Sequence, residues 1–211
     1  MAEGLTLDTL RISRDGSPLL ALDAHVPPGE VLTVMGPSGS GKSTLLAAII
    51  GTLDPAFTLS GRILLDGRDI TRLPPEARHA GILFQEELLF PHLSVGGNLA
   101  FALPPGIRGR AARRARIDAA LEDIGLPGYF DRDPETLSGG QKARVALMRM
   151  LLAEPCALLL DEPFSRLDAA LRGQIRDLVF ARARARALPV LLVTHDAQDA
   201  EAAGGPVIAL G

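Results

Sequence analysis

The string Gly36-Pro37-Ser38-Gly39-Ser40-Gly41-Lys42-Ser43-Thr44 constrains this chain more than any other part of it. From Gly36 to Ser43 it has the spacing G-x-x-x-x-G-K-[ST]. Glycines let successive backbone N–H groups curl around an anion, a path that Cβ atoms at those positions would resist. Lys42 brings a point charge suited to β- and γ-phosphates, and the Ser43 hydroxyl is a ligand for Mg2+. Val31–Met35 before the string reads as a buried strand, and Leu45–Ile50 after it reads as a helix. That order seats phosphates at a helix N-terminus, where free N–H groups and the macrodipole favour negative charge.

Lysine usage agrees with this reading. Lys42 and Lys142 are the only lysines, against a pooled Lys+Arg of 22. A chain that otherwise uses arginine keeps a compact ammonium on a flexible stem in the phosphate loop, where a planar fork is a poor substitute. Lys142 is read as incidental.

With 211 residues, 47% hydrophobic and 22% charged, the composition is that of a soluble globular protein. A formal net charge of −3 gives no electrostatic case for nucleic acid as a partner. The single cysteine, Cys156, rules out an internal disulfide framework; it opens an apolar run and is expected to be a buried structural thiol. No apolar stretch is long enough to span a bilayer and no signal peptide is recognised, so a membrane role is expected to come through a partner.

Several short apolar runs end in polar or glycine-rich strings. Val31–Met35 leads to the phosphate loop, Cys156–Leu160 to Asp161-Glu162, Val190–Thr194 to His195, and Gly81–Phe84 to Gln85. Near-continuous apolar runs are the signature of parallel strands covered on both faces. Ligands of such sheets bind outside the carboxyl ends of the strands, so four candidate groups are predicted to converge on one edge. Residues 5–28 alternate loosely around Asp15-Gly16 and predict an antiparallel hairpin, and 60–67 another short strand. From Glu86 to Ala153 the chain turns Ala-, Arg- and Leu-rich, with breaks at Leu103–Gly106 and Leu126–Gly128. The division expected is an α/β core over 1–85 and 154–211, with a helical insertion over 86–153. Two arginine clusters, Arg108, Arg110, Arg113, Arg114 and Arg116, and Arg182, Arg184 and Arg186, are read as solvated helix surface.

At the predicted edge each side chain has a chemical use. Asp161 suits a Mg2+ carboxylate and Glu162 beside it can polarise an attacking water. His195 can donate to a γ-phosphate, and Gln85, neutral and able both to donate and accept, can bridge to Mg2+ or water. His25, His79 and His92 are read as structural.

These residues resemble the ATPase subunits of ATP-binding-cassette (ABC) transporters over nearly the whole chain. The phosphate loop, Gln85, Leu137-Ser138-Gly139-Gly140-Gln141, Leu158–Glu162, Ser165–Asp168 and His195 follow the family's order and approximate spacing. The resemblance implies an α/β fold: a P-loop NTPase (RecA-like) core, an N-terminal antiparallel β-subdomain and an inserted α-helical subdomain. It implies ATP and Mg2+ as ligands, Gly36–Thr44 as the ATP cradle, and Ser43, Gln85 and Asp161 around the metal. Leu137–Gln141 then touches the γ-phosphate of ATP held by a second copy, so the two motifs complete no site within one copy. Asp168 lies in the loop connecting the two sites.

Leu83–Val95 resembles bacterial importers rather than exporters. Gly81–Leu103 and Asp161–Arg172 are similar to the cassettes of Ynj-type importers, relatives of thiamine-importer ATPases. The resemblance implies a homodimer working with transmembrane permease subunits and a periplasmic or extracellular substrate-binding protein, peripheral on the cytoplasmic face of the inner membrane. Three departures stand out. No aromatic lies between Leu10 and Leu20, where the family usually stacks adenine. Arg166 replaces a usually small residue. The sequence closes soon after the predicted strand Pro206–Leu210, giving an expectation of no added regulatory domain. Two other classes share part of the pattern. A non-transport cassette ATPase of DNA repair or translation usually carries two cassettes or a long coiled coil. A small-molecule kinase needs no L-S-G-G-Q string.

Overall fold

The computed structural model describes residues 3–84, 88–165, 167 and 169–210, except the side chains of Ala169 and Ala170. The chain divides into two units, one comprising 1–82, 156–162 and 176–211 and the other 83–155 and 163–175.

The first unit opens with the predicted hairpin, β1 (Leu5–Arg14) and β2 (Ser17–Val26), paired antiparallel. Asp15 and Gly16 both take positive φ, 50° and 79°, as a tight turn between twisted strands requires. β3 (Val31–Met35) belongs to a second sheet, whereas β4 (Phe57–Leu65) pairs with the free edge of β1 and β5 (Arg68–Asp69) follows it. The loose alternation of β1 has a structural cause. Leu5 and Leu7 are buried, then Leu10 and Ile12, so the inward face shifts by one residue at Thr9. Thr9 is a bulge at φ 49° opposite Gly61. A Cβ on Gly61 would lie 2.5 Å from the Thr9 carbonyl oxygen, so the bulge requires a glycine there.

The second sheet takes β3, β6 (Ala80–Leu83), β7 (Ala157–Asp161), β8 (Val190–Val193) and β9 (Val207–Ala209) in the order β6-β7-β8-β3-β9. β7–β8, β8–β3 and β3–β9 are parallel. Leu158, Leu159, Leu160 and all four residues of β8 are fully buried, the condition under which strands carry unbroken apolar runs. Helix α1 (Lys42–Ile50) follows β3, and its Leu45, Leu46 and Ile49 join Leu7, Ile12, Ile63, Leu159 and Val193 in one hydrophobic core.

Arg78, at the end of the short helix α2 (Pro75–Arg78), is buried. Its guanidinium donates to the carbonyls of Ala48 and Ile49 (2.8 Å each), Leu73 (2.7 Å) and Thr71 (2.8 Å). The last carbonyls of α1 have no partner within the helix, and a cation there also complements its dipole. Gly51 ends α1 at φ 92°, and a Cβ on it would stand 2.6 Å from the Arg78 Nε. Cys156 corrects an expectation: it is exposed, because β7 starts one residue later, while its N–H donates to the His79 carbonyl at 2.7 Å.

The second unit is helical: α3 (Val95–Ala102), α4 (Arg110–Asp123), a 3-10 turn (Pro134–Thr136) and α5 (Gly139–Leu152). Val95, Leu99, Ile117, Leu121, Val145 and Leu152 are buried. Asn98, fully buried, accepts from the Phe90 N–H at 2.8 Å, and its amide donates to the carbonyls of Phe90, Leu93 and Ser94. The sequence division placed 163–175 in the core; the structure groups it with the helical unit, Phe164 and Leu167 being buried apolar residues there. The helix α6 (Ala169–Ala185) therefore has its first residues in one unit and those from Arg176 in the other. Among the described residues no helix is long and apolar enough to cross a membrane.

Arg78→Met removes the donors to the Ala48 and Ile49 carbonyls at the end of α1 while keeping much of the side-chain bulk. Leaving those buried carbonyls unpaired is expected to cost about 3 kcal/mol of unfolding free energy, read as a lower urea midpoint.

Candidate functional site

The phosphate loop leaves β3 beside β8 and β9 and enters α1. Gly39 and Gly41 sit at φ 85° and 92°, the left-handed region that glycine enters freely. Gly36 is fixed by space: a Cβ there would lie 2.7 Å from the Leu210 carbonyl oxygen and 2.8 Å from Ser40 Oγ. Lys42 is buried, and its ammonium donates to the Gly36 and Pro37 carbonyls at 2.7 Å each, strapping the loop across its mouth. Gly41 caps α1 without a side-chain acceptor, so no side chain of the cap competes for the first-turn N–H groups.

Parallel register brings the other strand ends alongside. Val34 and Asp161 both pair with Val193, from opposite sides of β8. Ser43 Oγ then donates to Asp161 Oδ2 at 2.9 Å, linking the start of α1 to the end of β7. Burial pushes the Asp161 carboxyl above the ordinary carboxylate range, and neighbouring Glu162 adds to the rise. The Ser43 hydrogen bond and the Lys42 charge oppose it.

Glu162 continues the ladder, its N–H donating to the Val193 carbonyl at 2.9 Å, but its backbone turns to φ 47°. A non-glycine residue there carries local strain of a kind that clusters at functional sites. Its carboxylate meets His195 Nδ1 at 3.0 Å. His195 lies between Thr194, whose hydroxyl accepts from the Asp196 N–H at 3.1 Å, and Asp196, which caps α7 (Ala197–Ala203) by accepting from Gln198. Arg176 holds that helix start from α6, with Nη1 3.2 Å from the Gln198 carbonyl and 3.4 Å from the buried Asp199. Sequence reading missed this pair because its members lie 23 residues apart on two helices with no motif joining them.

The structure thus brings together Lys42, Ser43, Asp161, Glu162 and His195 at the carboxyl edge of one parallel sheet. Gln85 and Asp168, also predicted site residues, lie outside the described residues, as does Arg166. Among the described residues no cluster of three or more His, Cys, Asp or Glu is placed to hold a metal. Ser43 and Asp161 are both hard oxygen donors, the set that suits Mg2+, an ion that keeps much of its shell as water and substrate phosphate.

In the helical unit, Leu137 is buried and Ser138 caps α5. Ser138 Oγ accepts from the Gln141 N–H at 3.3 Å, and Gln141 Oε1 accepts from the Ser138 N–H at 3.0 Å, a reciprocal capping box. Gln141 also reaches the Tyr129 hydroxyl, with Nε2 at 3.4 Å. A Cβ on Gly139 would meet nothing within 4 Å among the described residues, so its bare backbone is not a packing requirement there.

Comparison with known proteins points to one family. The family model for ABC transporters matches residues 19–165. The ABC transporter ATP-binding protein YnjD of Escherichia coli is 55% identical over 177 residues, spanning 84% of this chain and 81% of that protein. The thiamine import ATP-binding protein ThiQ of Cereibacter sphaeroides is 48% identical over 196 residues, 93% of this chain and 83% of its own length. A solved dimeric structure of the ATP-binding cassette MJ0796, in a post-hydrolysis state bound to ADP and Pi, superposes with a TM-score of 0.84 at 29% identity, covering 98% of this chain and 94% of that one. The chain therefore belongs to the ABC transporter family as an ATP-binding, ATP-hydrolysing subunit.

Proposed function

We propose that the chain energises uptake of a solute through separate transmembrane subunits, ATP closing a dimer of two copies and hydrolysis reopening it. The observation that carries the mechanism is the meeting of Ser43 with Asp161 and of Glu162 with His195 beside the phosphate loop. Direction is supported by relatives named as thiamine and 2-aminoethylphosphonate import ATP-binding proteins. In this reading the chain sits on the cytoplasmic face of the inner membrane. It docks to permease subunits and serves a substrate-binding protein on the far side.

ATP lies with its phosphates over the N-terminus of α1, within Gly36–Thr44, where first-turn N–H groups and Lys42 take the charge. Lys42 has only to leave the Gly36 and Pro37 carbonyls to do so, a short swing of a flexible stem. Ser43 and Asp161, with Gln85, are the residues that would hold Mg2+, which when bound would supply charge neutralisation for the phosphates. Glu162 accepts the proton of the water whose oxygen attacks the γ-phosphorus, and the bond to the ADP oxygen breaks. His195, held against Glu162, donates toward the γ-phosphate. Leu137–Gln141 of the second copy presents Ser138, Gly139 and Gly140 at the start of α5, and the open space at Gly139 is where the γ-phosphate held by the first copy would approach. Asp168 passes the state of one site to the other.

Glu162→Gln removes the proton acceptor and keeps shape. Turnover is expected to fall by at least about a hundredfold, while Mg-ATP still binds and dimers accumulate in light scattering. A variant that stays monomeric in Mg-ATP refutes the composite site.

Base selection is expected to be weak. At the hairpin tip Arg14 pairs across the ladder with Phe57 and lies over its ring at 5.7 Å, while Leu19 and Leu20 border Gly41. A guanidinium platform of this kind stacks on any base, so ATP and GTP affinities should agree within about tenfold in competition binding. A much larger preference for ATP contradicts this.

A further inference from the structure

The turn that opens α5 is held from outside by residues 124–132, the stretch that follows α4. Ser138 and Gly139 are exposed, and Gly140 and Gln141 are half-buried. The backbone of the turn is tied through Arg144, whose Nε donates to the Gly140 carbonyl at 3.3 Å and whose Nη1 donates to the Ile124 carbonyl at 2.7 Å. The side chains are tied through Tyr129, whose hydroxyl accepts from Gln141 Nε2 at 3.4 Å.

Tyr129 is itself well anchored. Arg132 lies over its ring at 4.1 Å, and the Arg132 N–H donates to the Tyr129 carbonyl at 3.0 Å. The next carbonyls take up first-turn N–H groups of α3, Phe130 accepting from Gly96 at 2.7 Å and Arg132 from Val95 at 2.9 Å. A Cβ on Gly96 would stand 2.4 Å from the Phe130 ring, so the stretch lies against α3 at a distance that only glycine permits. The Tyr129 hydroxyl thus projects from backbone fastened to another helix, and it gives Gln141 a fixed acceptor.

The capping box converts that anchor into control of Ser138. Gln141 Oε1 accepts from the Ser138 N–H at one end of the amide, while Nε2 at the other end is held by Tyr129. The Gln141 side chain is thereby committed to the cap. Ser138 Oγ accepts from the Gln141 N–H, and a hydroxyl that accepts there keeps its own proton for another acceptor.

We propose that Tyr129 is a positioning residue for the L-S-G-G-Q turn. By holding the far end of the Gln141 amide, it keeps the Ser138 hydroxyl and the Gly139 and Gly140 N–H groups in the arrangement that receives the γ-phosphate bound by the other copy. The proposal rests on the composite-site reading above. A neutral hydrogen bond biases such an arrangement by about fivefold, and a dimer uses the turn twice, so loss of the Tyr129 hydroxyl weakens closure by about 25-fold.

The test measures the dimer dissociation constant by sedimentation in saturating Mg-ATP, with full-length chains that all carry Glu162→Gln so that dimers accumulate. Adding Tyr129→Phe is expected to raise that constant about 25-fold, while a fluorescent ADP analogue binds the single copy as before. In chains that also carry Gln141→Ala, where the amide is already gone, Tyr129→Phe is expected to change nothing further. A dimer constant indifferent to Tyr129→Phe overturns the proposal. So does an undiminished effect in the Gln141→Ala background, which marks a general loosening of the helical unit instead of action through Gln141. Glu162→Gln chains that stay monomeric in Mg-ATP refute the composite site and the proposal with it, whereas dimers that form and ignore Tyr129→Phe refute only the role of Tyr129.

Discussion

The hydrogen bond from Ser43 to Asp161 joins residues 118 positions apart, and most of the site's geometry depends on the register that makes it possible. β3 and β7 do not pair with each other; each pairs with β8, and Val193 is the common partner of Val34 and Asp161. A slip of one residue on either side of β8 would turn the terminal side chain to the opposite face and separate the hydroxyl from the carboxylate. That register is continuous along β8, from Val31↔Val190 to Val34↔Val193 on one side and from Leu158↔Val190 to Asp161↔Val193 on the other. The polar groups of the site then stand where the apolar strands run out, which is the one edge of such a sheet where charge and water can meet.

Glu162 shows how that edge is bent to a purpose. Adjacent residues on an extended strand point to opposite faces, and Asp161 and Glu162 would diverge if the strand ran on. The left-handed backbone at Glu162 ends the alternation while its N–H keeps the ladder bond to Val193, so the carboxylate meets His195 without loosening β7. Burial raises the pKa of the Asp161 carboxyl, and the charge of neighbouring Glu162 adds to the rise. Lys42 and Ser43 partly offset this, and a divalent cation beside Asp161 would complete the balance by favouring its ionised form.

Much of this was legible in the sequence because the ligand and the burial each leave a pattern. The phosphate loop needs glycines at positions set by backbone approach, and Val31–Met35, Leu158–Leu160 and Val190–Val193 needed only their unbroken apolar runs. The hairpin at Asp15-Gly16 was announced by its turn. Other features leave no local mark. Arg78 sits in a Pro- and Glu-containing stretch that looks like surface, and its acceptors on α1 come 29 and 30 residues earlier. The Thr9 bulge depends on Gly61 in another strand, so neither residue signals it alone. Cys156 was misjudged by a single position, since an apolar run does not say at which residue its strand begins. The grouping of 163–175 with the helices follows tertiary contacts that no motif records.

In the proposed dimer the two units would hold their anions by different physics. In the core unit the phosphate loop combines backbone donors with Lys42, and Asp161 and Glu162 put negative charge beside it, so a cation is needed to reconcile the two. The start of α5 has no such conflict. Ser138 and Gln141 satisfy each other, no acidic side chain stands in the first turn, and Gly139 leaves the backbone bare. Such a helix start can accept a phosphate without a metal and can release it without moving a proton. In the proposed dimer, affinity between copies then follows the charge of the nucleotide held by the core, and loss of the γ-phosphate weakens the contact with no titration in the helical unit.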